Sequence, residues 1–152
     1  MRYHNLSRIL LLMVICQSSL VRAELSDIPL EAVQAGTFYV RGILDGVVDT
    51  DLLLDTGSGY VSLSKRTFDQ IKHDASTVFQ RHITGVMANG SSISVPIYRI
   101  GALRLSSNCV LTDIEVAVFN NTSRDILGLN ALKQIQPFTL QLDPPVMSAT
   151  CS

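Results

Sequence analysis

The run Leu52-Leu53-Leu54-Asp55-Thr56-Gly57-Ser58-Gly59 places a single carboxyl group directly after three consecutive leucines. A run that apolar predicts a strand buried on both faces. It presents Asp55 at the edge of a core and not on an open surface. Gly57 has no Cβ, so backbone can come close and aim N–H groups at the carboxylate. Thr56 and Ser58 add hydroxyls able to donate to the ionised form or to bond across an interface. The same residues would also make an ordinary turn with capping hydroxyls, so the loop by itself leaves two readings open.

Working outward, Phe38–Leu44 and Val47–Leu54 are strand formers separated by Asp45-Gly46, a turn in which both positions want φ > 0. Tyr60–Leu63 predicts a further short strand. Ser64 is placed to cap a helix over 65–72, with Phe68 and Ile71 one helical turn apart. A second hairpin is expected from Val78–Ala88 and Ser92–Ile100 across Asn89-Gly90. Leu103–Leu105 and Val110–Phe119 read as strands, the latter alternating in Ile114, Val116 and Val118. Asp125-Ile126-Leu127-Gly128 predicts a short buried strand ending at glycine. A short helix over Leu129–Ile135 follows, stopped by Pro137. Phe138–Leu142 is the expected last strand, closed off by Pro144-Pro145. Asp49 and Asp51 are expected to decorate the first hairpin, and Asp125 to pair locally or cap.

The composition narrows the function classes. The chain has 152 residues, 47% hydrophobic and 16% charged, enough for one domain and too apolar for a disordered tail. A formal net charge of −1 offers no basic field for nucleic acid. Residues 1–23 read as a signal peptide: Arg2 and Arg8 precede the apolar run Ile9–Cys16, and Val21-Arg22-Ala23 ends in a small residue. Eight apolar residues span about 12 Å as a helix, short of a hydrocarbon core of roughly 30 Å. Export to a periplasm or the exterior is therefore expected, with a domain over 24–152 and no membrane span after signal removal. Cys109 and Cys151 then remain as an even pair in an oxidising compartment, bridged or as separate thiols. Neither has His or Cys neighbours at metal spacing, so no metal and no cofactor is expected. A serine hydrolase is disfavoured because Gly-x-Ser-x-Gly would need glycine where Thr56 stands, and His73 and His82 sit in or near a polar loop.

Leu52–Gly59 resembles the active-site loop of the aspartic proteases. Asp125-Ile126-Leu127-Gly128-Leu129-Asn130-Ala131-Leu132 resembles the second signature of the same clan, in which the glycine strand lies beneath the catalytic loop. Ala88, Asn89 and Gly90 fall where the family's flap, and with it substrate binding, would be. The likeness is to the retropepsin-like group and particularly its secreted bacterial forms. It implies a mostly β, single-lobe retropepsin-like acid protease fold with one or two short helices and a flap-like β-hairpin. Leu129 departs from the pattern, standing where many viral members carry an arginine. The family's chemistry needs two aspartates sharing one proton, one activating water and the other polarising the peptide carbonyl. This chain offers one such loop, so the resemblance implies a homodimer with Asp55 from each subunit on the two-fold axis. Thr56 would bond across that axis, Gly57 would hold the carboxylate through its backbone, and Ser58 could reach the outer carboxylate oxygen. The partner would be a peptide held as an added strand. Some members of the clan are non-proteolytic, so a silent peptide-binding or assembly module is the other expectation.

Overall fold

The computed structural model describes residues 25–33, 36–86, 90–120 and 124–151. The signal peptide expected over 1–23, and Ala88 and Asn89 of the expected flap tip, lie outside these residues.

Among the described residues ten strands are present: β1 (Leu25–Val33), β2 (Thr37–Leu44), β3 (Val48–Leu54), β4 (Val61–Ser64), β5 (Val78–Val86), β6 (Ser92–Ser106), β7 (Cys109–Phe119), β8 (Asp125–Leu127), β9 (Phe138–Leu142) and β10 (Pro145–Thr150). Two short helices, α1 (Lys65–Phe68) and α2 (Leu129–Leu132), accompany them, with one 3₁₀ turn at Lys133–Ile135. The sheet runs β5-β6-β7-β4-β8-β3-β2-β1-β10-β9, and an additional β6–β2 pairing joins its middle back on itself. Six strands thus close into a ring: β2, β6, β7, β4, β8 and β3. The β5 arm stands off one side, and β1, β10 and β9 off the other.

The ring encloses the core, with Leu44, Leu52, Leu63, Ile100, Leu103 and Leu127 fully buried. Gly42 belongs there because a Cβ at that position would lie 2.6 Å from Leu52 Cδ1 and 3.0 Å from Leu103 Cδ1. A side chain there would require the ends of both leucines to shift. A smaller cluster of Val95, Ile97 and Ala117, flanked by Tyr60, Ile83, Ile93 and Phe119, lies under the β5–β6 arm.

The first hairpin turns as expected, with φ of 47° at Asp45 and 72° at Gly46. Other expectations need correction. Only Leu52 of the three leucines is fully buried; Leu53 and Leu54 are half-buried at the end of β3, next to the Asp55 loop. Helix α1 ends at Phe68, the chain continuing in turns that still bury Phe68 and Ile71. Leu103–Leu105 is not a separate strand but the second half of β6, which spans 15 residues because it pairs with β5, β7 and β2 in turn. Pro144-Pro145 does not close the chain. It turns it into β10, which pairs with β9 on one side and β1 on the other. Strand β1 was not expected, although Ser26, Ile28 and Leu30 alternate inward. Pro29 is accommodated because β1 pairs with β10 through that residue and with β2 only from Leu30 onward. A Cys109–Cys151 disulfide, closing the choice between bridge and thiols, ties the end of β10 to the start of β7.

Candidate active site

Three segments meet at Asp55. Strand β3 delivers it, parallel to β8 in the register Leu52↔Asp125, Leu53↔Ile126, Leu54↔Leu127. The Asp55 amide then donates to the Leu127 carbonyl at 3.2 Å. Beyond the loop, α2 returns its own amides to it: Leu129 N–H donates to Ser58 O at 2.8 Å and Asn130 N–H to Gly59 O at 3.2 Å. The loop is thus held by backbone bonds along both sides of Gly128.

Within the loop, the Gly57 amide donates to Asp55 Oδ1 at 2.8 Å, which aims one carboxylate oxygen. Ser58 differs from the expectation. Its hydroxyl donates to Tyr60 O at 2.8 Å, so it shapes the loop's exit and not the carboxylate. The nearer acceptor wins because the chain folds back over Ser58 before β4 begins. Thr56 and Gly57 are exposed, and the Thr56 hydroxyl has no hydrogen-bond partner among the described residues.

Asp55 opens onto a cleft of about 470 Å³. The loop forms one wall through Gly57, Ser58, Gly59 and Tyr60, and Ile83, Gly85, Val86 and Val95 of the β5–β6 arm form the other. Ala117, Phe119 and Ile126 make an apolar floor. The cavity therefore sets one acid, aimed by the Gly57 amide, beside a largely apolar arm and floor. Gly90 bends the arm beyond β5 with φ of 81°, a conformation that favours glycine. Among the described residues, no group of three or more His, Cys, Asp or Glu side chains is placed to hold a metal.

Four site residues were missed in the sequence. Asn130 accepts the Val61 amide at 2.7 Å and donates to Glu115 O at 2.7 Å, locking β4 and β7 to α2. Its place two residues after Gly128 was the available signal. Arg81 of β5 makes a two-pronged ion pair with Glu115 of β7 and also donates to the Tyr60 hydroxyl at 3.2 Å. No local pattern announces this link, since its members are 21 and 34 residues apart. It ties the base of the arm to the cleft wall.

Hydrogen bonds from Arg81 hold the Glu115 carboxyl below its usual value of 4.5. A depressed folded value means that the link stabilises fully above the ordinary glutamate range and is lost as pH falls through the lower, folded one. Glu115→Gln should raise KM for a cleft ligand or substrate by up to about fivefold near neutrality, the range of exposed ion pairs. It should also flatten the rise of KM on acidification. A variant whose KM tracks the wild type at every pH would show that the arm is not held this way.

The family described as "gag-polyprotein putative aspartyl protease" matches residues 40–134. Among solved structures, the chain resembles a retropepsin-like aspartic protease from Rickettsia conorii at 16% identity and a TM-score of 0.61, covering 83% of this chain and 91% of that one. It also matches the retroviral protease-like domain of Ddi1 from Leishmania major at 18% identity and a TM-score of 0.46, covering 69% and 81%. No curated protein matches the chain. At such low identity the Rickettsia likeness speaks to the fold, which is mostly β and retropepsin-like.

Proposed function

The chain belongs to the gag-polyprotein aspartyl protease family, and from that premise we propose that it is an endopeptidase working as a homodimer. One observation carries the proposal: a carboxylate with one oxygen fixed by the Gly57 amide at 2.8 Å, facing an apolar cleft. Among the described residues that line the cleft, Asp55 has no second acid beside it. Two subunits related by a two-fold axis would bring Asp55 to Asp55. The pair would share one proton, because like charges about 3 Å apart do not both ionise readily. The ionised member takes a proton from water as that water attacks the peptide carbon; the protonated member donates to the carbonyl oxygen. Collapse of the tetrahedral intermediate returns a proton to the leaving nitrogen. A substrate lying as an added strand between the arm and the loop would satisfy its own backbone groups.

Two features support dimerisation. Thr56, Gly57 and Gly59 are exposed on the isolated subunit and so are open to a partner's loop. Strand β9 ends the sheet with an open edge and exposes Leu140 at 41% and Leu142 at 61%. Leu140 lies opposite the buried Met147 of β10, so both leucines extend the inner face of that sheet outward. The Leu140→Lys/Leu142→Lys double variant should sediment as a folded monomer and lose cleavage at concentrations where the wild type is dimeric. Full turnover by that monomer would reject the shared site.

The direct test is cleavage of a broad peptide library at mildly acid pH, with suppression by a statine-type mimic of the tetrahedral state. A protein that binds such peptides and never cuts them would be the silent module instead. We further propose export, for which the Cys109–Cys151 disulfide is the support, since such bridges persist in oxidising compartments.

A further inference from the structure

Away from the cleft, Asp125 is 5% exposed and yet carries an acceptor-only group. Sequence reasoning expected it to pair locally or cap; its donors come from 58 to 75 residues away. Oδ1 accepts the Ser64 amide at 2.7 Å. Oδ2 accepts the Thr50 hydroxyl at 2.6 Å and the Thr67 hydroxyl at 2.6 Å. Ser64 is the N-cap of α1, and its Oγ accepts the Thr67 amide at 3.2 Å. The Ser64 and Thr67 hydroxyls are 2.9 Å apart. With Asp125 accepting, the protons have one consistent order: Thr67 N–H to Ser64 Oγ, Ser64 O–H to Thr67 Oγ1, and Thr67 O–H to Asp125.

In a capping box a glutamate or glutamine at the third helical position reaches back to the N-cap amide. That position holds Thr67, which has no such reach, and Asp125 supplies the acceptor from another strand. The same carboxylate clamps β3 through Thr50, five residues ahead of Asp55. At the other end of the β3–β8 pair, Leu127 accepts the Asp55 amide. One bond set thus fixes the far end of the pair and the other its near end. A slip of one residue would turn every β3 side chain to the opposite face.

We propose that Asp125 is a positioning residue for Asp55: it locks the β3–β8 register against α1 so that the loop carboxylate is presented in one geometry. The role rests on the reading of Asp55 as the reacting acid. The depression outside Asp125 is lined further by Tyr39, Asp49, Asp51, Arg66, Gln70 and Arg124.

The test uses the oxidised full chain as Asp125→Asn, Thr50→Val and Thr50→Ser. Asp125→Asn and Thr50→Val should lower kcat by about tenfold or more with KM within about twofold, since misplacement costs turnover before affinity. Thr50→Ser, which keeps the hydroxyl, should restore it. Amide exchange should quicken at Asp55 and Leu129 while Ile97 and Ala117 in β6 and β7 keep wild-type protection. Uniform quickening, or kcat that follows only the folded fraction, would overturn the proposal. Should Asp125→Asn not fold, Thr50→Val carries the test. If wild type cleaves nothing while the loop amides still loosen selectively, the protease reading fails and the anchoring role stands.

Discussion

Replacing Asp55 with asparagine should abolish peptide cleavage and leave the fold intact. The loss should be at least about a thousandfold in kcat, within the range that positioned acid–base groups supply. Asparagine keeps the shape and still offers one oxygen to the Gly57 amide, which donates to Asp55 Oδ1 at 2.8 Å. It cannot take the proton of the attacking water. Because the proposed site draws one acid from each subunit, the variant should also poison wild type. Mixed with a tenfold excess of Asp55→Asn, only roughly one wild-type subunit in eleven would find an intact partner by random pairing. Activity per wild-type subunit should fall by the same factor once exchange is complete. Activity that is merely additive in such mixtures would mean that a single subunit suffices.

Gly128→Ala is expected to be the most damaging single-methyl change in the chain. A Cβ there would lie 2.2 Å from Tyr60 O, 2.5 Å from Tyr60 C and 2.9 Å from Ser58 O. All three are backbone atoms, so no rotamer change relieves the clash. The chain would have to move where Leu129 N–H bonds Ser58 O and Asn130 N–H bonds Gly59 O. Those bonds hold the Asp55 loop, so stability and chemistry should fall together. We expect a loss of about 3 kcal/mol or more in urea unfolding and no measurable cleavage. The control is Gly59→Ala, since nothing lies within 4 Å of a Cβ built there. It should unfold within about 0.5 kcal/mol of wild type. Equal midpoints for the two alanine variants would refute the packing argument. The glycine is demanded by close approach of backbone, its own φ of −98° being open to any residue.

Much of this was legible in the residues taken in order. Apolar runs broken by turn residues report local conformation, so the Asp45-Gly46 turn and the strand into Asp55 could be read directly. The acid followed by glycine is likewise a local statement, because Gly57 reaches the carboxylate two residues back. What escaped is what depends on partners distant along the chain. Ser58 is the exception: its hydroxyl, expected to reach the carboxylate, bonds Tyr60 O only two residues on. Strand β10 was hidden behind Pro144-Pro145, and its place in the sheet is set by β9 on one side and by β1, from the other end of the chain, on the other. The link from Arg81 to Glu115 and Tyr60 exists only once β5 lies over the cleft. Asp125 was expected to pair locally or cap, and its donors come from β3 and the start of α1.

By itself the sequence determined the strand that carries Asp55 and the turns that flank it, because conformational preference and hydrophobic period act over a few residues. Tertiary structure alone decided which walls face Asp55 and which donors hold Asp125. Hydrogen-bond partners 58 to 75 residues apart are chosen by strand register and ring closure, which no local stretch encodes.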